Sequence, residues 1–154
     1  MFEALKSFVA ELTEGDQGAR GLADQDLRVA TAALLVHAAS IDGAMSKVAG
    51  QELQNLLRQR FDLDGAAAAE LIEQATIADQ KAVDLYHFTH LLNDRLDEGE
   101  RCRMVEMLWS VAYADGTVSD YENNLIWRVA DLLGVSQAER IALRNRVAAR
   151  PAQG

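Results

Sequence analysis

The stretch AYADGTVSDYE, residues 112–122, has the spacing of half a calcium loop. Asp115-Gly116, five further residues and then Glu122 match the closing half of an EF-hand, where a carboxylate, a tight glycine turn and a final glutamate follow one another. In that register Asp115 is the fifth loop position and Glu122 the twelfth. The first and third positions fall on Val111 and Tyr113, which carry no carboxylate and continue the preceding helical pattern. Calcium takes about six to eight oxygens. Asp115, Asp120, Glu122, Ser119 and nearby carbonyls do not reach that number, which excludes a high-affinity single loop. A second Asp-Gly pair, Asp42-Gly43, leaves a different metal reading open: a weak divalent-cation site shared between two corners, with Asp42 facing Asp115.

The same residues have a complete reading without metal. Gly43 and Gly116 suit the left-handed backbone conformation that ends a helix. Met45 and Val118, two residues on, can pin each corner to a core. Ser119 followed by Glu122 spells a capping box, and Asp120 adds negative charge where the helix dipole favours it. The first corner keeps Ser46 but has Lys47 and Ala49 where the second has Asp120 and Glu122. It can turn the chain without completing a box.

Positioning these corners requires helices, and the pattern supplies them throughout. With one proline and abundant alanine and leucine, the 154-residue chain reads as all-α. About eight helices are expected. Phe2, Leu5, Phe8, Val9 and Leu12 share the face of a first amphipathic helix, followed by a glycine-rich joint, GDQGARGLADQD. A strong helix runs from about Asp24 to Ser40, another from Ser46 to about Phe61, and a third begins after Asp64. VDLYHFTHLLNDRLDEG forms one more, and a further helix spans about Glu100 to Ala114. The last two follow Ser119 and Ser136. The expected division is an N-terminal helix and joint over 1–23, a helical domain over 24–150 and a tail over 151–154. Aligning Asp42-Gly43 with Asp115-Gly116 also aligns Met45 with Val118 and Ser46 with Ser119. A second corner, Phe61-Asp62-Leu63-Asp64, then matches Leu133-Gly134-Val135-Ser136 after a one-residue slip. The bulk of the chain therefore reads as two pseudo-repeated helical hairpins packed together.

VAYADGTVSDYENNLIWRVADLLGVS and its weaker copy HAASIDGAMSKVAGQELQNLL resemble the TerB tellurite-resistance family, and most closely its short stand-alone members. The resemblance covers about residues 24–148 and includes the middle region DLYHFTHLLNDRLDEGERCRMVEMLWSVAYADG. It implies an all-helical fold and a role in bacterial resistance to tellurite and other stresses. It also implies divalent metal at acidic corners, carried here by Asp115, Asp120 and Glu122, with Asp42 in the weaker copy. Lys47 and Ala49 depart from that pattern and argue against a symmetrical pair of sites. A related domain precedes the J-domain of some membrane-anchored co-chaperones, which implies a protein partner, membrane-associated in that setting.

Composition narrows the alternatives. A net charge of −9 argues against nucleic acid, because phosphate binding needs concentrated Lys and Arg. The one basic run, Arg140, Arg144, Arg146 and Arg150, fits stabilisation of the C-terminal end of the last helix. No segment suits a membrane span or secretion signal, and the single Cys102 fits a reducing compartment, so a cytoplasmic location is expected. Flanking arginines could lower the thiol pKa a little, but no catalytic partner accompanies it. Asp84, His87, His90 and Asp94 share one helix yet lack a third converging zinc ligand. His37 reads as a hydrogen-bonded core histidine, and Trp109, Tyr113, Tyr121 and Trp127 as packing around the second corner. No phosphate loop, nucleophile elbow or paired catalytic carboxylates are present.

The expectation is therefore a non-enzymatic binding module with no catalytic residues and a weakly bound divalent cation as its sole cofactor candidate. The competing reading is a metal-independent protein-interaction adaptor in which the carboxylates only cap helices. An enzyme with an unfamiliar site is the remaining alternative. Partner and oligomeric state are left open by the sequence.

Overall fold

A computed structural model describes residues 20–150. The expected first amphipathic helix, the start of the joint and the tail 151–154 lie outside the described residues. Within them are seven helices and no strand. They are α1 (Arg20–Ser40), α2 (Lys47–Phe61), α3 (Gly65–Lys81), α4 (Tyr86–Arg95), α5 (Glu98–Ala112), α6 (Asp120–Leu132) and α7 (Gln137–Ala148). Two expected boundaries move. The second half of the glycine-rich joint is already helix, because α1 starts at Arg20 and passes through Gly21 and Asp24. The long helix expected over 83–99 is shorter, because Asp97 caps the next one. Its side chain accepts the Glu100 N–H at 2.8 Å while Glu100 accepts the Asp97 N–H at 3.0 Å. That reciprocal box makes a helix start more favourable than continuing the old helix.

α1 is the hub and packs against α2, α3, α4, α5 and α6. Its sequence VATAALLVHAA buries residues on nearly every side, from Val29 to Val36 and again at Ala38 and Ala39. Alanines at Ala30, Ala32 and Ala33 let neighbouring backbones approach closely, while Leu34 and Leu35 fill the spaces between them. α5 plays the same part in the second half, with Met104, Val105, Leu108 and Trp109 fully or almost fully buried. Each fully buried leucine or tryptophan contributes about 1.5–3 kcal/mol or more of transfer free energy. That removes any need for a disulfide or metal to hold the core.

The internal repeat is real at the level of hydrogen bonds and larger than the expected hairpins. Gly43 (φ 134°) donates its N–H to Ser40 O at 3.2 Å, and Gly116 (φ 96°) donates to Tyr113 O at 2.9 Å. Ser46 then caps α2 as Ser119 caps α6. The second corners also agree. Asp62 and Gly134 both adopt the left-handed conformation, and the next N–H reaches back five residues, from Leu63 to Arg58 O at 3.0 Å and from Val135 to Ala130 O at 2.9 Å. Asp64 and Ser136 cap the third helix of each unit. The repeating unit is thus three helices, α1-α2-α3 and α5-α6-α7, with α4 between them. In each unit the first helix packs on the third, and the units meet through α1 on α5, α2 on α5 and α6 on α1.

The basic run in α7 does something other than stabilise a helix end. Arg140 is 3% exposed, its guanidinium 3.6 Å from the Trp127 ring centroid. Nη1 donates to Trp127 O at 3.2 Å and to Asp131 Oδ1 at 3.1 Å. Arg144 donates to the Tyr113 hydroxyl at 3.1 Å and lies over Trp109. Arg146 and Arg150 share Glu106 of α5. These side chains fasten α7 to α5 and α6, and only Arg146 stands in the last turn of the helix. Cation–π stacking and desolvated hydrogen bonds make Arg140 the strongest of these ties. Arg140→Ala should lower unfolding stability by about 2–3 kcal/mol in urea titration, with Arg140→Lys recovering only part of it. Asp131→Asn should cost less than about 1 kcal/mol, because that carboxylate is largely exposed. Equal losses for Arg140→Ala and Asp131→Asn would show that the ion pair, and not the stack, holds α7.

Candidate functional site

The two Asp-Gly corners sit at the C-terminal ends of α1 and α5, the helices along which the two units meet. Glycine is required at both, because φ values of 134° and 96° strain any side-chain-bearing residue even though nothing crowds the missing Cβ. Met45 and Val118 pack partly against the core beneath. Asp42, Asp115 and Asp120 are exposed around the turns. Asp115 Oδ1 accepts the Thr117 N–H at 3.3 Å, a local bond that tightens the bend.

Glu122 is the unusual member. It is 9% exposed, and its Oε1 accepts the Ser119 N–H at 2.9 Å while the Ser119 hydroxyl accepts the Glu122 N–H at 3.1 Å. The capping box expected from the sequence is therefore complete. Burial pushes the Glu122 carboxyl above the usual glutamate range, and the Ser119 hydrogen bonds pull it back. The negative charges of Asp42 and Asp115 raise it further. Asp42 belongs to the first unit and Asp115 and Glu122 to the second, so charge from both corners reaches the Glu122 carboxyl. Ala49, buried, fills the equivalent position in the first unit, so the arrangement has one central carboxylate and not two.

Of the four carboxylates predicted for a cation, Asp42 and Asp115 act on Glu122, while Asp120 stands in the first turn of α6; they form no closed cage. Among the described residues, no group of three or more His, Cys, Asp or Glu side chains converges in a way that could hold a metal ion. The donor set fits only an open, water-rich site, in which a cation keeps much of its hydration and touches one or two carboxylates.

Other candidates resolve differently. His37 is half-buried at the edge of the core, its Nδ1 3.0 Å from Asp79 Oδ1, and it ties α1 to α3. His90 is exposed, 3.8 Å from Asp94 and stacked on Tyr86. Asp84 is committed to the Tyr86 N–H at the start of α4. Cys102 donates its thiol to Glu139 Oε2 at 3.3 Å, and burial together with Glu139 raises its pKa. The expected lowering by neighbouring arginines is overturned, because the Arg101 charge is outweighed. Trp109 is fully buried, Trp127 and Tyr113 are half-buried, and Tyr121 is exposed. Sequence reasoning missed a group of arginines around a cavity between α2, α5 and the end of α7. Arg60 and Arg103 stand far from Arg150 in sequence, so no local spacing signals them.

Comparison with known proteins agrees with this architecture. Residues 28–145 match the model of a family described as TerB, tellurite resistance protein TerB. The chain belongs to the TerB family. The match spans both three-helix units, from α1 into α7, and includes both corners. No curated protein and no solved structure matches the chain. TerB domains are generally non-catalytic, and in this member no described helix is long and apolar enough to cross a membrane.

The raised Glu122 pKa gives a signed pH dependence. The folded state holds the proton more tightly than the unfolded chain. Its contribution is fully present below the ordinary glutamate pKa and is lost as pH rises through the elevated folded value. Glu122→Gln keeps a side-chain oxygen for the Ser119 N–H but cannot ionise. The stability of Glu122→Gln relative to wild type should therefore rise across that window and then level off, as measured by urea unfolding at a series of pH values. A difference that does not change with pH would contradict the burial of a charged carboxylate at this corner.

Proposed function

We propose that this TerB protein is a non-enzymatic binding module of a tellurite, metal or stress response, and that its acidic corner face takes up a divalent cation weakly. The observation that supports this reading is that charge from two chain-distant corners acts at Glu122, whose carboxyl is raised first by burial and then by Asp42 and Asp115. Negative charge that opposes the ionisation of Glu122 is relieved by a cation beside it. Glu122 Oε1 is committed to the cap, so Oε2 and the exposed carboxylates of Asp42, Asp115 and Asp120 are the groups a hydrated ion would meet. Such a site favours an ion that keeps its water, and affinity in the millimolar range follows from the open geometry.

A second reading has its own support. The complete Ser119–Glu122 box and the Asp115–Thr117 bond account for two carboxylates by local structure alone. Each such cap is worth about 1 kcal/mol. On that basis the protein is a metal-independent adaptor for a protein partner, and exposed Tyr121 beside the box belongs to its contact face.

NMR titration with magnesium, calcium, manganese and zinc separates the two. The cation reading expects saturable shifts at Asp42, Asp115 and Glu122, reduced at least about tenfold in apparent affinity by Asp115→Asn combined with Glu122→Gln. Linear, non-saturating shifts at millimolar metal, or unchanged affinity in the double variant, would favour the adaptor.

A further inference from the structure

In a chain of net charge −9, one cavity has three arginines in its lining. It lies between α2, α5 and the segment leaving α7, and its volume is about 250 Å³. Leu56 and Met107 give it apolar wall, and Arg60, Arg103 and Arg150 stand around it with Ser110. Glu106 is the single carboxylate in the lining, so the cavity itself carries an excess of positive charge. None of these residues belongs to the acidic corner.

The three arginines differ in how firmly they are held. Arg60 approaches Glu100 at 3.6 Å, an ion pair without a hydrogen bond. Arg103 is exposed, and no carboxylate of the described residues pairs with it. Arg150 pairs with Glu106 and donates to Ser110 Oγ at 3.2 Å. Glu106 also faces Arg146 at 3.6 Å. If Arg150 turns into the cavity, Glu106 therefore keeps a cation beside it and is not left half-buried and alone. Glu52 lies one turn back on α2, where burial raises its pKa and the Arg150 charge lowers it. With Glu100, it is an acid outside the lining that competes for these arginines.

Planar guanidinium forks match the paired oxygens of carboxylate and phosphate, and several converging on a small cavity select an oxyanion over a simple halide. We infer that this cavity binds a small multivalent oxyanion of the phosphate or dicarboxylate class, held by Arg60, Arg103 and Arg150 with the Ser110 hydroxyl as an additional donor. The volume accommodates a free anion of that size. The binding is independent of the corner carboxylates and of any cation they take.

Thermal unfolding and isothermal calorimetry with inorganic phosphate and with succinate, each against sodium chloride at matched ionic strength, test the inference on the full chain. At least one of the two oxyanions should raise the Tm and bind saturably, chloride should do neither, and the larger effect identifies which oxyanion class fits. Arg103→Gln and Arg60→Gln should each weaken binding about tenfold, the size expected for one charge-assisted hydrogen bond. Arg103 is exposed and makes no ion pair or hydrogen bond among the described residues, so Arg103→Gln tests binding apart from folding. NMR shifts should centre on Met107 and Ser110. Stabilisation equal to that of chloride, undiminished binding in Arg103→Gln, or shifts centred away from this cavity would overturn the inference.

Discussion

Burial of α1 on nearly all its sides is the constraint on which the remaining structure depends. A helix touched by five others must have side chains small enough for close approach and apolar enough to lie in a dry interior, and VATAALLVHAA meets both conditions. Because α1 is fixed along its length, its C-terminal end is fixed too. Asp42-Gly43 can therefore lie only where α1 delivers it, beside the corresponding end of α5. The action of the Asp42 charge on Glu122 follows from the packing of two helices, not from any attraction between carboxylates.

The two halves have specialised around this frame. Both units turn on a glycine, cap with serine, turn again through a left-handed residue and cap a third helix. The first unit places Ala49 under its corner and contributes to the core. The second places Glu122 there and accepts the cost of burying a carboxylate, offset in part by the two hydrogen bonds of the capping box. A similar division appears in the third helices. α3 lies broadly against α1 through alanines and leucine, whereas α7 is fastened by arginines stacked on tryptophans and paired with acids of α5 and α6. Membership of the TerB family covers both units, and the charge pattern separates them into an acidic corner and an arginine-lined cavity.

Much of this was legible in the sequence because it rests on local chemistry. Helix type follows from periodicity and composition. The corners follow from Asp-Gly pairs and capping serines, whose hydrogen bonds reach only three residues along the chain. The second corner, Phe61 to Asp64 against Leu133 to Ser136, was readable for the same reason. Where local signals competed, the sequence reading erred. Asp97 and Glu100 end one helix by starting another, and Gly21 does not prevent α1 from reaching back to Arg20.

The sequence by itself determined an all-helical TerB chain, its repeated glycine corners and its serine caps, because each depends on residues within a turn or two of one another. Tertiary structure alone decided that Asp42 would act on Glu122, that burial and Glu139 would raise the Cys102 thiol, and that Arg140 would be a buried staple instead of a helix-end charge. It also gathered Arg60, Arg103 and Arg150 around one cavity. Electrostatics and desolvation depend on distance and burial in space, and neither is encoded in the spacing of residues along a chain.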